Sequence, residues 1–224
     1  MDRRASFRLY LITDRKLALR HGGLPAAVAA ALSGAAAEPG AVAVQLREKD
    51  LGGRELHELA RAVRERCARY GAPLIVNDRL DVALAVEADG VHLPGDSFAV
   101  GDARRLMGRS RLVGVSTHQP AEVAAAARAG ADFAVFGPVY APLSKAAAGA
   151  ERGAEGLGAA LRAGGGMPVY ALGGITADRV RELAGAAALG ERSRPGGVAV
   201  IGAVFGADDP GAATRELLRA LAVW

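Results

Sequence analysis

Pro168-Val-Tyr-Ala-Leu-Gly-Gly-Ile-Thr-Ala-Asp-Arg-Val-Arg-Glu-Leu-Ala184 holds one complete structural unit. The apolar run Pro168–Leu172 reads as a strand and Gly173-Gly174 as a turn. Ala177–Ala184 has the three- and four-residue apolar spacing of a helix, with Thr176 placed as its N-cap. The same unit recurs along the chain. Arg8–Thr13 precedes the helical pattern of Leu24–Leu32, Ala41–Leu46 precedes Gly53–Tyr70, and Pro73–Val76 precedes Leu80–Val86. Gly90–Leu93 precedes Val100–Met107, Leu112–Val115 precedes Pro120–Ala129, and Phe133–Phe136 leads to Leu157–Arg162. Val198–Ile201 precedes Pro210–Leu221, which completes eight strand–helix units.

Strict alternation of this kind implies parallel strands joined by helical crossovers. Strands so continuously apolar are covered on both faces. Eight units in 224 residues predict a closed (β/α)₈ barrel near the lower end of that fold's size range, forming a single domain over residues 1–224. An open doubly wound sheet is the alternative, but it would carry a glycine-rich phosphate loop after its first strand. Here that strand ends in Ile12-Thr-Asp-Arg15, without glycine.

Hydrophobic residues make up 51% of the chain and charged residues 23%, which excludes a disordered or fibrous protein. No apolar run approaches the ~18 residues of a membrane span, and the start is too short in apolar residues for a signal-peptide core. The lone Cys67 forms no internal disulfide, in keeping with a cytoplasmic location. The net charge of +4 raises nucleic-acid binding, but the arginines are scattered beside acids and aromatics are only 4%, too few for base stacking. Lysine occurs only as Lys16, Lys49 and Lys145, and the last two stand in candidate motifs.

In a (β/α)₈ barrel the active site lies where strands end and βα loops begin. The second strand ends in Gln45-Leu-Arg47-Glu-Lys49-Asp50. Alternation sends Gln45, Arg47 and Lys49 to one side and Glu48 to the other, so two cations converge on the mouth and call for an anionic ligand, the alternative being that Glu48 and Asp50 neutralise them at the rim. The third strand ends in Asn77-Asp78, and the loop after the fourth holds Asp96-Ser97. Asp78 and Asp96 on neighbouring loops suit a Mg²⁺ clamp of hard oxygen ligands, although Asn77-Asp78 could equally cap the next helix. His92 reads as a hydrogen-bonded core histidine. Ser116 ends the fifth strand as an anion donor or a helix cap, and lacks the neighbouring base a nucleophile needs. Lys145 begins an alanine- and glycine-rich loop after the sixth strand, from which it could reach a phosphate. Gly173-Gly174 and Ile201-Gly202 end the seventh and eighth strands, where barrels hold phosphate on backbone amides.

Nine segments in order resemble the thiamine phosphate synthase/TenI family: Leu9–Asp14, Val44–Lys49, Val76–Asp78, Ala88–Leu93, Gly114–His118, Gly130–Phe133, Gly137–Tyr140, Ala171–Ile175 and Gly197–Ile201. The resemblance implies a (β/α)₈ barrel that couples a hydroxymethylpyrimidine diphosphate to a thiazole phosphate, releasing diphosphate and giving thiamine phosphate. It implies that Gln45, Arg47, Lys49 and Asn77 hold the pyrimidine diphosphate and that Asp78 binds Mg²⁺. Ser116 and Lys145 would touch the diphosphate, with Ser144 beside them, and Gly174, Ile201 and Gly202 would cradle the thiazole phosphate. The catalytic set is then Arg47, Lys49, Ser116 and Lys145. Its partners are small phosphorylated substrates rather than nucleic acid or membrane, and a homo-oligomer is open to it.

The pattern departs from the synthases in four places. Ser97 stands where they usually carry a second Mg²⁺ aspartate, with Asp96 one position earlier. Pro142-Leu-Ser144-Lys145 lacks one hydroxyl of the usual motif, Gly202 replaces a common serine, and Ala186–Arg194 enlarges the turn before the last strand. The strand-four loop is similar to the TenI branch, which implies a thiazole tautomerase or a non-catalytic regulatory barrel as alternatives. The tautomerase's proton-shuttling histidine, however, falls where this chain has Pro138.

Overall fold

The computed structural model describes residues 5–141, 151–186 and 194–224. Its centre is a closed barrel of eight parallel strands in sequence order: β1 (Leu9–Ile12), β2 (Val42–Leu46), β3 (Leu74–Asn77), β4 (Gly90–Leu93), β5 (Leu112–Thr117), β6 (Phe133–Phe136), β7 (Val169–Leu172) and β8 (Gly197–Val200). β1 closes the ring by pairing with β2 on one side, Leu9 opposite Val42, and with β8 on the other, Leu9 opposite Val198. The helices that wrap it are α1 (Arg15–Ala18), α2 (Leu24–Ser33), α3 (Gly53–Arg69), α4 (Leu80–Ala85), α5 (Val100–Met107), α6 (Pro120–Arg128), α7 (Gly153–Ala163), α8 (Ala177–Ala184), α9 (Gly202–Phe205) and α10 (Pro210–Leu221).

Period two divides every strand between two cores. Outward residues such as Leu9, Leu11, Val44, Leu74, Val76 and Val91 pack beneath the helices, where α3 contributes Leu56, Ala60, Val63 and Cys67 at helical spacing. Inward residues fill the barrel: Tyr10 and Ile12, Ala43, Ile75, Phe133 and Val135, Tyr170, and Ala199. Phe7 plugs the lower end, stacked on Tyr170 at 4.7 Å and edge-on to Phe133 at 5.5 Å, while the Tyr170 hydroxyl donates to the Phe7 carbonyl at 2.7 Å. The large ring of Phe133 fits because its neighbour on β5 is Gly114, where a Cβ would lie 2.1 Å from the ring. With aromatic residues filling the lower barrel, the open space is left to the rim at the strand C-termini.

Local chemistry explains the helix starts. Thr176 caps α8 as expected, its Oγ1 accepting from the Arg179 amide at 3.3 Å, and Asp209 caps α10 through the Ala212 amide at 2.9 Å. α7 begins at Gly153 rather than Leu157. Two short helices, α1 with the 3₁₀ turn Leu19–His21 and α9 after β8, add to the eight expected units. Among the described residues no helix is long and apolar enough to cross a membrane.

Candidate active site

Because all eight strands are parallel, their C-terminal ends share one rim. β2 delivers its charges there. β2 ends at Leu46, and Glu48 is buried, accepting from Thr13 Oγ1 at 2.7 Å and from the Arg15 amide at 3.1 Å. The Arg15 guanidinium bridges Glu48 at 3.5 Å and Asp50 at 3.0 Å, and Lys16 Nζ lies 3.6 Å from Asp50. That hydrogen bond from Arg15 holds the Asp50 carboxyl down at about 2. Both acids beside Arg47 and Lys49 are therefore committed to α1, and among the described residues neither cation forms an ion pair. Thr13 Oγ1 also accepts from the Arg47 amide at 2.9 Å, which fixes the backbone from which Arg47 extends. The expected alternation holds for Gln45, which faces inward. It stops short of Lys49, which lies past the strand and shares a cavity wall with Glu48.

That cavity, about 260 Å³, lies beyond β2, β3 and β4 and is also lined by Asn77, Asp78, Arg79 and Asp96. Asp78 takes a left-handed backbone, φ 64°, with its amide donating to the His92 carbonyl at 2.8 Å. Its carboxylate accepts a hydrogen bond from Ser97 Oγ. It does not cap α4, whose N-cap is Arg79, paired with Asp81 at 2.6–2.8 Å. Two carboxylates, Asp78 and Asp96, thus open onto one cavity with a serine hydroxyl bonded to the first. This all-oxygen donor set fits Mg²⁺, which takes one or two carboxylates and completes its shell from water and substrate phosphates. Among the described residues no three His, Cys, Asp or Glu side chains are grouped for a metal.

Ser116, half-buried on β5, is spared from capping because Gln119 and Glu122 form the capping box of α6. Its Oγ lies 2.9 Å from His92 Nε2. Burial, with a smaller contribution from the Arg47 charge, pushes the His92 imidazole down to about 3. Such a ring is neutral at physiological pH and too weak a base to activate a serine nucleophile.

Across the mouth, Gly173 and Gly174 turn with φ 103° and 58°. The Gly174 carbonyl accepts from Arg179 Nη1 at 2.5 Å, and the same guanidinium lies 4.7 Å above the Tyr140 ring. A Cβ on Gly174 would lie 2.3 Å from the Ala141 carbonyl oxygen, so only glycine fits. Ile201 is the N-cap of α9, and Gly202 its first residue, with no heavy atom within 4 Å of the place a Cβ would take. The first amides of a helix have no intrahelical partners, and here they open on the same rim as the β7 glycines.

The thiamine monophosphate synthase family profile matches residues 9–204. The chain belongs to this family. A thiamine-phosphate synthase of Moorella thermoacetica is 44% identical over 93% of this chain and 93% of its own length. One from Chloroflexus aurantiacus is 42% identical over 94% of this chain and 91% of its own. Among solved structures, thiamine phosphate pyrophosphorylase from Pyrococcus furiosus superposes with a TM-score of 0.81 at 33% identity, covering 97% of this chain and 96% of that one.

Within this thiamine monophosphate synthase family barrel, Gln45, Arg47, Lys49, Asn77, Asp78, Asp96, Ser116, Gly174, Ile201 and Gly202 all stand at or beyond the C-terminal ends of their strands or within the mouth. Gln45 is the deepest, bonded through Nε2 to the Tyr10 hydroxyl at 3.2 Å. Ser144 and Lys145 lie outside the described residues, as does most of the enlarged turn before β8. The sequence reading did not single out Tyr10, Thr13 or Arg179. Tyr10 was legible in principle, since it shares the inward parity of Gln45, His92 and Ser116 once the strands close into a ring.

Proposed function

We propose that this enzyme joins an aminopyrimidine methyl diphosphate to a thiazole phosphate in the rim site, producing thiamine phosphate and diphosphate. The observation that carries this reading is the committed pairing of Glu48 and Asp50 with Arg15, which leaves Arg47 and Lys49 at the end of β2 without an ion pair among the described residues, Lys49 on the wall of the cavity it shares with Asp78 and Asp96. Cations without a protein partner, beside carboxylates that suit a divalent ion, make a site for a polyanion.

The reaction breaks the bond between the pyrimidine methylene carbon and the diphosphate oxygen, and the electron pair leaves with the diphosphate. The thiazole nitrogen lone pair then forms the new carbon–nitrogen bond, giving a thiazolium. No proton need be taken from either partner, which suits a site in which the His92 imidazole beside Ser116 is held neutral. Arg47 and Lys49 would bind the diphosphate and stabilise its growing charge, with Ser116 donating to it; Lys145 would join them. Asn77 would orient the pyrimidine, above a floor formed by Gln45. Asp78 and Asp96 would hold Mg²⁺, which when bound neutralises the leaving group. The backbone amides around Gly174, Ile201 and Gly202 would hold the thiazole phosphate, so that its nitrogen faces the methylene carbon.

Incubating the protein with both phosphorylated halves and Mg²⁺ should release thiamine phosphate and diphosphate in equal amounts, and withholding Mg²⁺ should suppress it. No product at saturating concentrations of both halves would refute the reading.

A further inference from the structure

A line of polar side chains runs through the otherwise apolar barrel interior to the mouth. Tyr10, Gln45 and His92 are 0%, 1% and 2% exposed, and each comes from a different strand, β1, β2 and β4. Buried polar groups at this depth are costly unless hydrogen-bonded, and here every link has a partner. Gln45 Nε2 donates to the Tyr10 oxygen at 3.2 Å. The Tyr10 hydroxyl faces His92 Nδ1 at 3.5 Å, and His92 Nε2 lies 2.9 Å from Ser116 Oγ.

Either ring nitrogen of His92 can donate or accept, and the bond from Gln45 favours one direction along this line. Gln45 supplies a hydrogen to the Tyr10 oxygen, which leaves the phenolic hydrogen available to the other neighbour, His92 Nδ1, and in that direction the line runs from Tyr10 to His92. Nδ1 is then the acceptor of a neutral imidazole, and the ring proton sits on Nε2. Nε2–H donates to Ser116 Oγ, which leaves the serine's own hydrogen free to point elsewhere. The opening above Ser116 is the mouth, where Arg47 stands near enough for its charge to act on His92.

We propose that Tyr10 and His92 are positioning residues that present the Ser116 hydroxyl to the mouth as a hydrogen-bond donor for the diphosphate. This rests on the synthase reading, in which the diphosphate occupies the Arg47 side of the rim. A serine free to rotate donates or accepts; a serine already accepting from histidine is preset to donate, which favours the departing diphosphate, whose charge grows as the carbon–oxygen bond breaks, over the less charged diphosphate ester of the ground state. The arrangement also separates His92 from catalysis proper. It touches no substrate, and its influence passes through Ser116.

Nitrogen-15 labelling of the histidines in the full chain, read by proton–nitrogen correlation across two bonds, reports the tautomer directly. His92 should show an unprotonated Nδ1 and a protonated Nε2, and Tyr10→Phe should shift it toward the other tautomer. In the two-substrate assay, Tyr10→Phe should lower kcat about tenfold, the scale of one misdirected hydrogen bond to a charged group. The same change should add nothing further in a Ser116→Ala background, since the effect travels through that hydroxyl. Calorimetric titration with inorganic diphosphate and Mg²⁺ repeats the cycle without requiring turnover. A protonated Nδ1 in the active wild-type enzyme, or additive losses from Tyr10→Phe and Ser116→Ala, would overturn this inference alone. Absent turnover with the diphosphate cycle still non-additive would instead overturn the synthase reading.

Discussion

His92 lies between Tyr10 and Ser116, and its ring takes up a proton only near pH 3 because burial disfavours the cation and Arg47 adds to the penalty. An unfolded chain would protonate the same ring near pH 6.5. Between these values the unfolded state binds more protons, so stability is complete above the unfolded value and is lost as the pH falls toward 3. The slope from this one group is at most about 1.4 kcal/mol per pH unit. Urea unfolding of wild type and His92→Gln between pH 4 and 7 should therefore show a steeper acid loss in the wild type. Parallel slopes would mean that the folded protein takes up this proton at the same pH as the unfolded chain.

Among elements, the β7 loop is tightly constrained at the rim. Gly174 has φ 58°, its carbonyl is taken by Arg179, and a Cβ would strike both the Ala141 carbonyl at 2.3 Å and Arg179 Nη1 at 2.5 Å. Gly174→Ala must move this loop away from Tyr140 and Ala141, displacing amides assigned to the thiazole phosphate. Steady-state kinetics should show KM for the thiazole phosphate rising about tenfold or more, with KM for the pyrimidine diphosphate changing far less. Equal rises in both would remove the β7 loop from the thiazole side. At this scale the sequence was most readable where side chains were large. β4, α5, β6, α8 and α10 begin and end where apolar spacing placed them, because buried leucines, valines and phenylalanines mark the period. α7 starts four residues before the expected Leu157 because its first turn, Gly153-Ala-Glu-Gly156, carries little apolar signal. α1 and α9, four residues each, are too short for any period to show.

Over the whole molecule, barrel closure turns scattered strand ends into neighbours. Arg47, Asp78 and Ser116 were readable as rim residues because each ends an apolar run, and a parallel barrel places all such ends on one face. The Gln45–Tyr10–His92–Ser116 line was not readable locally, since its links cross the barrel between strands up to 82 residues apart. It required the parity of four strands and their register together. The commitment of Glu48 and Asp50 to Arg15 was likewise hidden, because α1 gave no helical period of its own.

The central claim is that one rim holds two anions: the diphosphate beside Arg47 and Lys49, and the thiazole phosphate on the amides near Gly174 and Gly202. A crystal structure with thiamine phosphate, diphosphate and Mg²⁺ tests it most directly. Diphosphate between Arg47, Lys49 and Ser116, with the thiamine phosphate group at the β7 and α9 amides, is the predicted result. Either anion bound away from its group of residues would contradict it.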